Sequence, residues 1–458
     1  MNQSYWQKTT RKTNDKKIDK DIECDVLIIG GGLTGVALAY YLKDTDFKVA
    51  VVDKDEIGSH TSGHTTAKIT VLHDVLYYKI KKYYDIHYAY LYYQSNLKAL
   101  SDIKDIINKE KIECDYKENQ SYIYATTPKM IQMIQEQKNI FHSIKVQYSE
   151  DSHFASSMGL ENQAVFHPLK YLFALKKICE KGNIEFYERS LVTKVEKKEN
   201  MFLSYVNDQT IRSKYVIHAS RYPFFKNHFY YMKLFQQREF VDYNENQQSE
   251  DSYLCIDQVN SYRPVNDNAC LNICKDSYQW YAMDSVPIRG IPYIGRLKSD
   301  GNEFIAFGYQ KWGMTLSHVA ARLIRDLIMD KENAYENLYA PNYFSLSFFK
   351  EYKNDLIQHL KKGYLTNRKD TKELDELKKG EGSLVKHEGN LYAVYRDKKG
   401  EYYFMSPYCR HLKCVIAFDH LSNTWICPCH QSIYDAYGKV LEGPSLYDLK
   451  KKKGLILR

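Results

Sequence analysis

The chain has 458 residues, enough for two or three domains with substantial cores, and its 44% hydrophobic and 27% charged content excludes wholesale disorder. The net charge of +8 comes from 65 basic and 57 acidic residues spread along the chain, with no basic stripe interleaved with aromatics, so nucleic-acid binding is not expected. Ten cysteines in a chain of this length, six of them scattered and four crowded between Cys409 and Cys429, exclude a secreted disulfide scaffold, and the 42 tyrosines read only as a composition bias.

In chain order, residues 1–20 are polar and read as a mobile tail. The longest uncharged run, Val26–Leu42, contains Gly30, Gly31, Gly32 and Gly35, so it reads as strand, turn and helix and not as a membrane span. No signal peptide precedes it, and the expected location is cytoplasmic. Cys24–Ile29 reads as a buried strand, Leu33–Lys43 as a helix and Phe47–Val52 as a second strand, a βαβ unit. Helices are expected at Val75–Ile107 and Pro128–Phe141. Next come a helix at Gln163–Lys181 and strands at Ile184–Val195 and Lys214–Ala219. Tyr230–Tyr281 gives no clear assignment. Phe304–Phe307 and a helix at Leu316–Met329 close this part, and a charged helical connector follows. From Gly380 the texture becomes that of a small all-β module, with segments at Leu384–Lys386, Leu391–Arg396, Tyr402–Met405 and Thr424–Ile426. The expected domains are a polar tail at 1–20, an oxidoreductase with interleaved parts at 21–345, a connector at 346–379 and the β module at 380–458.

Gly30-Gly-Gly-Leu-Thr-Gly35 fits G-x-G-x-x-G between a strand and a helix. Gly30 allows the sharp turn, Gly32 a close approach of backbone to pyrophosphate, and Gly35 tight helix–strand packing. Leu33 and Thr34 open the helix whose N-terminus would face the phosphates. Asp53 ends the second strand, where a carboxylate can accept hydrogen bonds from a ribose. These residues together predict a dinucleotide site.

The segment Gly58–Lys68, then Gly290-Ile-Pro-Tyr-Ile-Gly295 and Gly308–Thr315, resemble the flavin amine and amino-acid oxidase family that contains glycine oxidase, sarcosine oxidase and D-amino-acid oxidase. The resemblance spans roughly residues 22–345 and is strongest at its two ends. It implies FAD, with contacts at Gly30, Gly32, Leu33, Thr34, Gly35, Asp53 and Lys54, at Thr65, Thr66, Ala67 and Lys68, and at Gly313, Met314 and Thr315. It also implies that Val192 holds the adenine through its backbone. It implies an α/β FAD-binding domain of Rossmann type with an interleaved α+β substrate domain. Lys68, Lys311 and Trp312 are candidate flavin neighbours, and no catalytic residue is assigned. His60 and His64 stand i, i+4 without a third ligand, so no metal is expected there.

Near the C-terminus, Cys409-Arg-His411 and Cys427-Pro-Cys429-His430 form a C-x-H-x15-C-x-x-H pattern. Four such ligands on two loops suit zinc or an iron–sulfur centre. The pattern resembles a Rieske [2Fe–2S] domain, a small all-β module. The resemblance implies Cys409, His411, Cys427 and His430 as ligands, and a disulfide between Cys414 and Cys429. Ser432 and Tyr434 match the hydroxyls that hydrogen-bond the cluster, and Gly443-Pro444 matches its covering loop. Lys413 and Gln431 replace glycines usual in the ligand loops.

The combined resemblance implies a flavin-dependent oxidoreductase that oxidises a C–N bond of a small amine or amino acid. Electrons would pass from FAD to the Rieske cluster and on to a one-electron acceptor, a protein or a quinone. Alternatives are a reductase running from an external donor through the Rieske centre to FAD, and a redox sensor. A Rieske oxygenase is disfavoured because no D/E-x-x-H-x4-H run for a mononuclear iron is found.

Overall fold

A computed structural model of the protein describes residues 3–222, 230, 233–258, 260–273, 279–298, 301–342, 371–420 and 422–452. The expected helical connector falls mostly outside the described residues. In chain order the first elements are α1 (Tyr5–Lys8), β1 (Ile22–Ile29), α2 (Leu33–Leu42), β2 (Val49–Val52), α3 (Thr61–His64), β3 (Lys68–Ile69), α4 (Leu76–Tyr83) and α5 (Ile86–Glu110). Then come β4 (Lys117–Tyr124), α6 (Pro128–Ser143), β5 (Ser157–Val165), α7 (Pro168–Cys179), β6 (Ile184–Tyr187), β7 (Val192–Lys198), β8 (Met201–Val206) and β9 (Gln209–His218). The strands β10 (Leu234–Asn244), β11 (Ser252–Cys255), β12 (Ser261–Asn266), β13 (Ala269–Ile273), β14 (Trp280–Pro287), β15 (Tyr293–Arg296) and β16 (Glu303–Phe307) lead to α8 (Gly313–Ile328) and α9 (Glu336–Tyr339). The last strands are β17 (Thr371–Lys372), β18 (Glu381–His387), β19 (Asn390–Arg396), β20 (Tyr402–Met405), β21 (Ala417–Asp419), β22 (Thr424–Ile426), β23 (Ile433–Asp435) and β24 (Val440–Glu442).

These elements group into two compact parts, Met1–Arg221 with Arg238–Ser345, and Tyr222–Gln237 with Leu346–Arg458. In the first, one sheet runs β15-β16-β9-β1-β2-β6, with β8 and β7 added beside β9. β1 is parallel to both β2 and β9, so the strand order reverses about β1. In open α/β sheets a ligand crevice lies at such a point, outside the strand C-termini. Val26, Leu27 and Ile28 of β1 are fully buried, as expected for a parallel strand covered on both faces. α2 is apolar nearly all round and buries every residue except Tyr41, packing beside α7 and α8.

A second sheet runs β14-β10-β13-β12-β11-β4-β5-β3. Four of its strands, β10 to β13, come from the stretch that gave no assignment by sequence, and β14 begins at its end. Part of the tyrosine excess lies here as a cross-strand ladder. Tyr122, Tyr253 and Tyr262 stack on adjacent strands β4, β11 and β12, with ring centroids 5.1 and 4.8 Å apart.

Three expectations need correction. The helix expected over 75–107 is two helices, because Asp85 turns extended and its carboxylate caps the second by accepting the Tyr88 amide at 2.8 Å. The strand expected over 184–195 is also two. Between them Glu188 is buried and accepts the amides of Asp15 at 3.0 Å and Ile57 at 2.9 Å. The third concerns the amino-terminal segment, which is packed against the protein and not mobile. Trp6 is 1% exposed and its indole N–H donates to the Thr65 carbonyl at 2.7 Å. The Ser4 hydroxyl donates to the Gly63 carbonyl and the Gln7 amide to that of Ser59 at 3.0 Å. His167 bonds Thr9 and Thr10 through Nε2 at 3.0 and 3.1 Å.

In the second part, β17-β18-β19-β20 and β21-β22-β23-β24 form two four-stranded sheets. Apart from β17, consecutive strands pair antiparallel, as short alternating segments separated by turns should. Among the described residues, no helix is long and apolar enough to cross a membrane.

Candidate functional site

The glycine turn after β1 has the geometry its sequence requires. Gly30 has φ +121°, and a Cβ there would meet the Ala219 carbonyl oxygen at 2.7 Å. A Cβ on Gly35 would meet the Gly30 carbonyl oxygen at 2.0 Å, so only glycine permits this helix–strand approach. At Gly32 a Cβ would meet only the Ser62 hydroxyl, at 3.1 Å. The space before Gly32 is therefore open, as a pyrophosphate cradle needs. Asp53 holds this turn by accepting the Gly31 amide at 2.7 Å, and its other oxygen accepts the Asp55 amide at 2.9 Å. Lys54 pairs with Asp55 at 2.7 Å. His60 also pairs with Asp55, at 2.6 Å, so its Nε2 is engaged with that carboxylate. Val192 is buried at the start of β7.

Two helix N-termini stand together here. Neither α2, entered from Gly32, nor α8, entered from Trp312, is capped by its own N-cap side chain, although the first amide of α2, that of Leu33, donates to the Ser62 hydroxyl at 2.9 Å. Thr34 joins them, donating to the Tyr309 hydroxyl at 3.1 Å and bonding the Ser317 hydroxyl at 2.9 Å. The backbone before α8 is strained: Gln310 and Lys311 have φ of 50° and 78°. Met314 and Thr315 are buried in its first turn, and Thr315 Oγ1 lies 3.3 Å from His73 Nε2. His73 stacks on Trp312, with centroids 4.6 Å apart. Burial pushes the His73 imidazole down to about 3, so it is neutral.

The segment before β3 completes the enclosure. Thr65 Oγ1 accepts the Ala67 amide at 3.0 Å, and Ala67 sits at φ 57°. Thr66 is half-buried beside it. The Lys68 ammonium donates to the Tyr253 carbonyl at 2.8 Å and the Ser261 hydroxyl at 2.6 Å. Burial pushes Lys68 down to about 7. Sequence reasoning missed Asp284, the only half-exposed residue on the otherwise buried strand β14. Desolvation and the neighbouring Glu239 push its carboxyl up to about 6, against the pull of Lys311 and Arg221. Lys311 pairs with Glu239 at 2.6 Å. A single carboxylate in the apolar run Trp280–Pro287 was the available signal.

The four candidate metal ligands converge from two loops. Cys409 and His411 lie between β20 and β21, while Cys427 and His430 lie between β22 and β23. The imidazole centroids are 5.0 Å apart. Both cysteines are buried, and a hydrogen bond from Cys427 holds the Cys409 thiol below its usual range. Tyr434 Oη lies 3.2 Å from Cys409 Sγ, and Ser432 Oγ accepts the Ser445 amide at 3.0 Å. Cys414 and Cys429 form a disulfide across the loops, with Cα atoms 6.5 Å apart. Two thiols, two imidazoles and a covalent staple fit a [2Fe–2S] donor set. Lys413 and Gln431 adopt φ of 62° and 56°, the left-handed conformation that glycine takes without strain.

Comparison with known proteins agrees with this geometry. Residues 25–220 match the family of FAD dependent oxidoreductases, and residues 368–452 match the Rieske [2Fe-2S] domain. YhfW of Bacillus subtilis (strain 168), named as a Rieske 2Fe-2S iron-sulfur protein, is 30% identical over 497 aligned positions that cover 98% of this chain and 97% of that one. The gamma-glutamylputrescine oxidoreductase of Escherichia coli (strain K12) is 22% identical, covering 71% of this chain and 88% of that one. Among solved structures, glycine oxidase from Geobacillus kaustophilus superposes with a TM-score of 0.60 at 14% identity, covering 70% of this chain and 99% of that one. The chain is an FAD-dependent oxidoreductase with a C-terminal Rieske domain. It belongs to the family that includes YhfW, and its cofactors are FAD and a [2Fe–2S] cluster.

Proposed function

We propose that the protein oxidises a C–N bond of an amine or amino acid and passes the electrons from FAD, through a cluster held by Cys409, His411, Cys427 and His430, to an external one-electron acceptor. The observation that carries the substrate half is Asp284, a half-exposed carboxylate on a buried strand, beside the Lys311–Glu239 pair. A desolvated carboxylate favours a cationic partner, and an ammonium supplies one. Glycine and gamma-glutamylputrescine, in the names of the relatives above, both carry amino nitrogens.

FAD supplies the two-electron acceptor for the bond being oxidised. Gly32, Leu33, Thr34 and Asp53 would hold its phosphates and ribose, with Lys54 alongside and Val192 at the adenine. Thr65, Thr66, Ala67 and Lys68, with Gly313, Met314 and Thr315, would face the ring system. The unsatisfied amides of α8 would stabilise negative charge on it. Asp284 would orient the ammonium and take its proton at a carboxylate oxygen. The His73–Trp312 stack would shield the first turn of α8 from water.

The test is an anaerobic screen of amines and amino acids that follows flavin bleaching and cluster reduction separately. The reading expects bleaching first and cluster reduction second. If no amine bleaches the flavin, and a reduced donor protein or quinol instead reduces the cluster before the flavin, the electrons run the other way.

A further inference from the structure

Tyr222 is 6% exposed and groups with the part that carries the ligand loops. Its ring meets His411 with centroids 6.0 Å apart and planes at 85°, and it meets His430 at 6.0 Å and 62°. The two imidazoles stand 5.0 Å apart at 84°. The three rings thus touch edge to face, each against the other two. No residue of the C-x-H-x15-C-x-x-H pattern supplies this third ring. It comes from residues 222–237, inserted in the sequence between β9 and the end of β10.

Edge-to-face contacts favour defined ring planes and exclude water from the faces they cover. Groups that orient metal-binding imidazoles tune the metal they hold, and solvent access to an iron–sulfur centre is one determinant of its potential. We propose that Tyr222 is a positioning residue for the cluster, clamping His411 and His430 and shielding them from water. This rests on the reading of those two histidines as ligands. The centre gains negative charge on reduction, and water stabilises that charge. Opening the clamp therefore raises the cluster potential and exposes the ring nitrogen of each histidine that is not bound to iron.

The experiment uses the full-length holoprotein with Tyr222→Ala, Tyr222→Leu and Tyr222→Phe. Iron content, the paramagnetic signal of the reduced cluster, the cluster potential, and diethyl pyrocarbonate labelling of His411 and His430 are measured on each. Tyr222→Ala is expected to keep its iron, shift the signal and the potential upward, and label roughly tenfold faster, the scale set by losing two aromatic contacts. Tyr222→Phe keeps the ring and should match the parent. An iron-replete Tyr222→Ala with parental labelling and signal would overturn the proposal. If that variant loses iron, Tyr222→Leu decides: faster labelling than Tyr222→Phe sustains the clamp, and equal labelling removes it. A parent chain without two irons would instead sink the cluster reading itself.

Discussion

Gly32 and Gly35 stand three positions apart, yet substitutions at them should fail in different ways. A side chain at Gly32 points into the open cradle, where only Ser62 is near. Gly32→Val should therefore fold normally but purify without FAD, which absorbance at flavin wavelengths and thermal unfolding will separate. At Gly35 a Cβ collides with backbone, so Gly35→Ala should lose about 1–3 kcal/mol of stability, read by denaturant unfolding. Asp284 makes a third test. Its folded pKa of about 6 lies above its unfolded value, so its contribution to stability is complete below about pH 4 and is lost as pH rises through 6. Asp284→Asn should therefore leave the flavin-free protein about as stable as the parent near pH 4. Near pH 8 it should be more stable by about 2–3 kcal/mol. Amine turnover at pH 8 should fall in the same variant. A parent and variant with parallel pH–stability curves would show that Asp284 is not desolvated.

The ligand loops are short, and their order depends on hydrogen bonds around the sulfurs. Tyr434→Phe removes the hydroxyl 3.2 Å from Cys409 Sγ, and Ser432→Ala removes a second hydroxyl that hydrogen-bonds that sulfur. Each loss disfavours the reduced, more negative cluster. Each should lower its potential by about 20–60 mV, measured by redox titration of the paramagnetic signal. Unchanged potentials in both variants would show that these hydroxyls are structural only. The sequence made the βαβ unit and these loops legible for different reasons. β1, α2 and β2 are nearly continuous apolar runs, and glycines mark the turn between the first two, where backbone must touch backbone. The ligand loops announce themselves through rare side chains at fixed spacing. The second sheet was not legible, because tyrosine serves both its faces and blurs the alternation that marks a strand. Asp284 was hidden with it, since burial along β14 can be judged only after β14 is recognised. Trp6 was hidden by the polar residues around it.

Across the whole flavin part, the amino-terminal segment ties separate pieces together. Trp6, Ser4 and Gln7 hold the carbonyls of Thr65, Gly63 and Ser59, and Glu188 gathers the amides of Asp15 and Ile57. Trp6→Ala should therefore cost about 3–5 kcal/mol and loosen the segment that leads into Lys68. Its FAD dissociation constant should rise while the paramagnetic signal of the cluster stays parental. Retention of FAD at parental affinity would show that the segment braces the fold without serving the cofactor. The strand order carries a further consequence for synthesis on the ribosome. β1 emerges early, but its second neighbour β9 begins only at Gln209, and β16, which extends the sheet beyond β9, ends at Phe307. The apolar face of the nascent βαβ unit must wait uncovered through most of translation, which exposes it to aggregation and to chaperones. The candidate ligand loops lie between strands that pair in the order they are made. Iron shortage should therefore leave a chain whose early, slow-forming half is complete and whose last loops stay open for later metal insertion.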